Sequence, residues 1–134
     1  MMLAIDHINL TMPPGGEPQA RTFLVDILGM IEEEKPMELR GRGGCWFRLG
    51  RVFLHYSAEQ DFRPQKRAHP AFLVADLEAV AAKLQAAGFP VRREESKPAN
   101  PRFHSEDPFG NRLEFITAGR GFSEIERPIV PQNQ

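Results

Sequence analysis

Four residues have the types and the spacing to do metal chemistry. They are His7 in "DHINL", His55 in "RVFLHYS", His69 in "AHPAFLV" and Glu114 in "DPFGNRLEFI". Imidazole nitrogens with a carboxylate oxygen suit Zn²⁺, Ni²⁺, Mn²⁺, Fe²⁺ or Co²⁺. An open coordination position on such an ion would take water or a substrate oxygen. Glu114 is the most telling of the four. The turn dipeptides Asp-Pro and Gly-Asn feed an apolar run in which it is flanked by Leu113, Phe115 and Ile116. A carboxylate in a buried strand is costly unless it is paired or coordinates a metal. The plainer reading puts Glu114 on the wet face of a half-exposed sheet, because successive residues of a strand alternate faces. A lone histidine at a strand start, as at His7 and His69, is likewise more often structural or superficial, and His55 could simply hydrogen-bond on the sheet face.

The elements that must carry these residues follow from pattern. "LAIDHINLTM", residues 3–12, reads as a strand that "PPGG" breaks. Ala20, Phe23, Leu24, Ile27 and Leu28 fall at helical spacing between Glu17 and Leu28, and Gly29 is a natural stop. "MIEEEK" can form a short strand, and "GGCWFRLG" and "RVFLHYS" read as two strands joined at Gly50-Arg51. After a polar connection the pattern restarts. "AHPAFLV" is a strand, with Pro70 pointing to an edge or strand-start position. Asp76 is an N-cap, and Leu77, Val80, Ala81 and Leu84 form the stripe of a helix that stops at Gly88. "PVRREE", "RFHSED" and "NRLEFITA" then supply three strands, and the tail "PIVPQNQ" is expected to fray.

Each half therefore reads strand, helix, strand, strand, strand, with a period of about 60 residues. The matched positions are the functional ones. His7 lies 22 residues before Gly29 and His69 lies 19 before Gly88, the difference matching the longer "MPPGGEP" loop. His55 and Glu114 each lie 26 residues after those glycines. His7 is thus equivalent to His69, and His55 to Glu114. Equivalent residues of two packed halves can converge on a pseudo-twofold axis, and four matched positions are hard to ascribe to accident. His104 falls opposite Cys45–Trp46 by the same offset rather than opposite a histidine, and stays outside the set.

Composition bounds the rest. With 134 residues, 41% hydrophobic and 26% charged, the chain suits one globular domain built from two small halves. A net charge of −1 points to neither nucleic acid nor a membrane surface. The single Cys45 excludes an internal disulfide and a thiolate metal cluster; it could be a nucleophile, but no adjacent His supports that, and it reads more simply as a small buried residue. The N-terminus lacks the basic region and long apolar core of a signal peptide, and no apolar run spans a membrane, so the cytoplasm is the expected location. "GRGG", residues 41–44, is not a phosphate loop, because no Lys-Ser/Thr follows; it reads as a flexible loop over a cleft mouth. Arg63, Lys66 and Arg67 could steer an anion, but read more simply as a solvated linker.

"DHINL", "HPAFLV" before a helix, "GCWFRLG" and the closing "DPFGNRLEFI" together resemble the vicinal oxygen chelate superfamily, over about residues 3–118. That superfamily includes glyoxalase I, fosfomycin-resistance thiol transferases, extradiol dioxygenases and bleomycin-resistance proteins. The resemblance implies an α+β fold of two βαβββ modules, residues 1–60 and 61–120 with a tail at 121–134, whose curled mixed sheets enclose a cleft. It implies metal ligands from the first and last strands of each module, here His7, His69 and Glu114. His55 falls where glyoxalase I carries a fourth ligand, usually Glu. His55 and Glu114 are also the candidate catalytic groups, since a ligand carboxylate moves a proton in glyoxalase chemistry. Leu24 stands where relatives often carry a polar aromatic, and Tyr56, the only tyrosine, has the opposite strand parity from His55. The expected protein is a homodimeric divalent-metal enzyme for a small oxygenated molecule, of lyase, isomerase or transferase type. The alternative is a metal-free protein that sequesters a small molecule or antibiotic.

Overall fold

In the computed structural model, which describes residues 1–96 and 99–119, the first sheet is built from four short segments in the order β1-β4-β3-β2. These are β1 (Ile8–Met12), β2 (Ile31–Glu33), β3 (Cys45–Leu49) and β4 (Val52–Ala58). The second sheet repeats the plan as β5-β8-β7-β6. Its strands are β5 (Ala71–Val74), β6 (Arg92–Arg93), β7 (Arg102–Glu106) and β8 (Arg112–Thr117). In each sheet the first strand pairs parallel to the last, and the other pairings are antiparallel. The described residues divide into two compact units, residues 1–63 and 64–119. The expected frayed tail, residues 121–134, lies outside the described residues. No described helix is long and apolar enough to cross a membrane.

In the first unit, α1 (Glu17–Arg21) runs into a wider turn, Thr22–Ile27, closed by the Leu28 amide on the Phe23 carbonyl. Gly29, at φ +77°, then takes the left-handed step that ends the helix, and the Met30 amide reaches back to the Leu24 carbonyl. Ala20, Phe23 and Leu24 are buried with Leu10, Met12, Cys45, Phe47, Leu54 and Tyr56. Alternation leaves Asn9, Trp46, His55 and Ser57 on the other face.

The second unit is built alike. Asp76 caps α2 (Leu77–Ala86) by accepting the Ala79 amide, and Gly88 ends it at φ +88°. The helix packs against β8 and buries Leu77, Ala81 and Leu84. Phe103, Ser105, Leu113 and Phe115 are buried too, and the Phe103 and Phe115 rings lie 5.2 Å apart. The opposite parity presents Arg102, His104 and Glu106 from β7, and Arg112, Glu114 and Ile116 from β8.

Three expectations change. The first strand was expected to start at Leu3 and starts at Ile8. Ile8 pairs in parallel with Leu54, and β4 begins only two residues earlier, at Val52, so the chain before Asp6 has no strand to pair with. "PVRREE" forms only the two-residue β6. The "GRGG" segment is not a loose loop. The Gly43 carbonyl accepts from Lys35 Nζ, and the Gly44 amide donates to Glu17 Oε1 at 2.8 Å.

Candidate metal centre

Register brings the titratable groups of the second unit together. Ala71 pairs with Glu114 across β5 and β8, and His104 pairs with Glu114 across β7 and β8. His69, two residues before Ala71, therefore reaches the same carboxylate. His69 Nε2 lies 2.8 Å from Glu114 Oε1, and His104 Nε2 lies 3.2 Å from that oxygen. Arg102 donates to the other oxygen at 3.1 Å. Glu114 stands on the face away from α2, as strand parity requires, yet only 8% of it is exposed, because these three side chains cover it. Both readings of Glu114 thus hold in part: it sits on the polar face, and it is buried and paired.

Burial raises the Glu114 carboxyl pKa, but the hydrogen bonds from His69 and Arg102 and the charge of His104 outweigh it, so the net shift is downward. The carboxylate is ionised at neutral pH and can only accept. His69 Nδ1 faces the Arg67 carbonyl at 2.8 Å, another pure acceptor. A neutral imidazole carries one N–H, and here two pure acceptors face its two nitrogens. One of the two nitrogens is therefore left facing an acceptor lone pair to lone pair unless a further cation, a proton or a metal ion, is present. A metal-binding histidine whose other nitrogen donates to a backbone carbonyl is the usual outer-shell arrangement. One ligand atom each from His69, His104 and Glu114 lies within 4.8 Å of the others, so the donor set fits a divalent cation.

The first unit holds the other two histidines. Asn9 pairs with His55 as Ala71 pairs with Glu114, and Trp46 pairs with His55 as His104 pairs with Glu114. The strand registers thus reproduce the equivalences of His7 with His69 and of His55 with Glu114. The His7 and His55 rings stack at 4.1 Å, and Trp46 stacks on the other side of His55 at 4.0 Å with planes 2° apart. His7 Nδ1 lies 2.8 Å from Asp6 Oδ1. Burial, then the neighbouring His7, lowers the His55 pKa, so this ring is neutral at pH 7. Cys45 is buried, and burial with the Glu32 charge pushes its thiol up to about 12, which removes it as a nucleophile.

His104 is the residue that sequence reasoning left aside. The available signal was parity in "RFHSED", where Arg102, His104 and Glu106 alternate with Phe103 and Ser105 and face the polar side with Glu114.

The sequence matches the Glyoxalase/Bleomycin resistance protein/Dioxygenase superfamily over residues 4–115. The chain belongs to that superfamily. A glyoxalase family protein from Bacillus anthracis is 42% identical with a TM-score of 0.84, over 89% of this chain and 98% of that one. The fosfomycin resistance protein FosX from Listeria monocytogenes is 13% identical with a TM-score of 0.73, over 90% and 97%. TnmS3, an antibiotic binding protein from a Streptomyces species, is 19% identical with a TM-score of 0.65, over 88% and 100%. The latter two share the fold. No curated protein matches the sequence. In this superfamily setting, the paired mixed sheets are the glyoxalase-type βαβββ modules, and the polar face of the second sheet carries a two-histidine, one-carboxylate set.

Proposed function

We propose that this protein is a divalent-metal enzyme acting on a small oxygenated molecule, with His69 and Glu114 as metal ligands. The observation that supports it is the hydrogen-bond frame of His69. Nδ1 faces the Arg67 carbonyl and Nε2 an ionised carboxylate, so one N–H serves two acceptors, and a metal ion between Nε2 and the carboxylate would make up the shortfall. His104 adds a third ligating group, with its Nε2 3.2 Å from the same carboxylate oxygen. His7 joins the proposal as a further ligand, and His55 as a fourth ligand or an acid/base, on the matched sequence positions and the family resemblance alone. A divalent cation in this set would supply Lewis-acid polarisation of a substrate oxygen.

The chain's own groups have separable tasks. With a cation at Nε2, the Arg67 carbonyl would hold the His69 ring by accepting from Nδ1. Arg102 holds Glu114 Oε2 and turns Oε1 toward the two imidazoles. His55, neutral at pH 7 and clamped between two rings, is fit to accept a proton, and Glu114 is the second candidate for proton movement. A homodimer is proposed from the family resemblance and is checked by light scattering at micromolar concentration.

The test is metal content. Protein purified without chelator should contain, or take up from Zn²⁺, Ni²⁺ or Mn²⁺, about one equivalent per site, and His69→Ala should lose it. A protein that holds no metal by elemental analysis and binds none of these ions at micromolar concentration would instead support metal-free sequestration of a small molecule.

A further inference from the structure

A cavity of about 330 Å³ opens in the second unit, lined by Lys66, Arg92, His104, Glu106, Gly110 and Arg112. It adjoins the candidate metal centre through His104. Register makes it continuous with that centre's face. Arg92 pairs with His104, Glu106 pairs with Arg112, and His104 pairs with Glu114. Residues paired across neighbouring strands point to the same side, so the cavity and the His69–His104–Glu114 cluster share one sheet face.

The lining is cationic. Glu106, the only carboxylate among the described lining residues, is 2.9 Å from Arg92 and offsets its charge. Among the described residues no carboxylate pairs with Lys66 or Arg112. The backbone presents these two deliberately. The Gln65 carbonyl accepts the Arg112 amide at 2.8 Å, and the Gln65 amide donates to Asn111 Oδ1 at 2.9 Å. Asn111 is in turn locked by Asp107. The segment beside Lys66 is therefore stitched to the start of β8 and is not the loose linker that composition suggested. The φ +90° of Gly110, packed near Pro64, completes the turn on the same side.

We propose that this cavity receives the acidic group of a small organic anion, a carboxylate or a phosphoryl-type oxyanion, which Arg112 and Lys66 bind while the rest of the molecule extends toward His104 and Glu114. Two cations with no carboxylate partner among the described residues, set in a concave site, attract an anion, and a guanidinium fork matches the paired oxygens of either group. The volume sits at the low end of small-molecule pockets, about 300–1,000 Å³, which favours a compact ligand. As a substrate subsite this inference rests on the metal-centre reading, but the cavity can be tested without metal.

The experiment titrates inorganic phosphate and, separately, acetate into chelator-treated protein at fixed low ionic strength, following amide shifts by NMR. Wild-type protein should show saturable shifts at Gly110 and Arg112 with at least one probe, and the tighter probe names the acid type. Arg112→Gln should weaken binding about tenfold, as for a lost charge-assisted hydrogen bond. Lys66→Gln, at an exposed position where folding is not at stake, should weaken it about threefold. His69→Ala should leave anion binding intact while removing metal uptake, so the two readings fail separately. No saturable shift with either probe, or equal binding in the Lys66→Gln and Arg112→Gln variants, would overturn the proposal.

Discussion

Replacing Glu114 by Gln changes one oxygen into an amide nitrogen and removes a charge, with almost no change in shape. Three partners feel it. Arg102, whose side chain is only 15% exposed, loses its carboxylate, and His69 and His104 lose the ionised acceptor at 2.8 and 3.2 Å. The Gln carbonyl can still accept from one of them. The cost therefore falls below the roughly 3–5 kcal/mol of breaking a fully buried ion pair, and near the ~1–3 kcal/mol of an unsatisfied partly buried donor, so about 2 kcal/mol is expected. Metal binding should suffer more. Losing an outer-shell partner alone costs about 10–100-fold in affinity, so losing a charged ligand should cost at least about 100-fold. Urea unfolding of metal-free protein reads the first number, and calorimetric titration with Zn²⁺ or Ni²⁺ reads the second. Arg102→Gln is the control: Glu114 remains a ligand, so metal affinity should fall only within that outer-shell range. Wild-type metal affinity in Glu114→Gln would refute the centre as described, whatever its stability.

Gly44→Ala should destabilise by about 3 kcal/mol or more in urea unfolding, because Gly44 holds φ +90° and an added Cβ would meet the Tyr56 carbonyl oxygen. Gly29→Ala, with φ +77° and open space around it, should cost only about 1 kcal/mol. Glu17→Gln should cost about 0.5–1 kcal/mol at pH 7, since the carboxyl is held below its ordinary pKa, chiefly by the Gly44 amide. A lowered acid contributes stability above its unfolded pKa and loses it as pH falls through the folded one, so the gap to wild type should close below about pH 4.5. His55 should titrate by NMR below its ordinary value of about 6.5, and its contribution to stability should be lost as pH falls through that lowered pKa. His55→Gln should keep most of the metal affinity, lower turnover of whatever substrate is found, and remove any activity limb on the acid side of neutrality.

Local signals in the sequence were enough for the helices, their stops at Gly29 and Gly88, the Asp76 cap and the strand–helix–strand–strand–strand repeat. Each depends on residues within a turn or two, where apolar spacing, side-chain capping and the freedom of glycine act directly. The equivalence of His7 with His69 and of His55 with Glu114 was legible for the same reason, as counting from a helix stop measures the same run of chain in both halves. What lies beside Glu114 was not legible. His104 and Arg102 reach it from β7, and His69 from the segment leading into β5, and which side chains meet across strands depends on register set by pairing between distant segments. Register also decided that β1 begins at Ile8 and that Trp46 stacks on His55, and the hydrogen bonds of Gln65 to Arg112 and Asn111 set Lys66 beside a cavity. Residue types named a candidate chemistry. Strand pairing chose which residues share a face, and burial of Glu114 among cationic and imidazole partners shows why a carboxylate can occupy that apolar run.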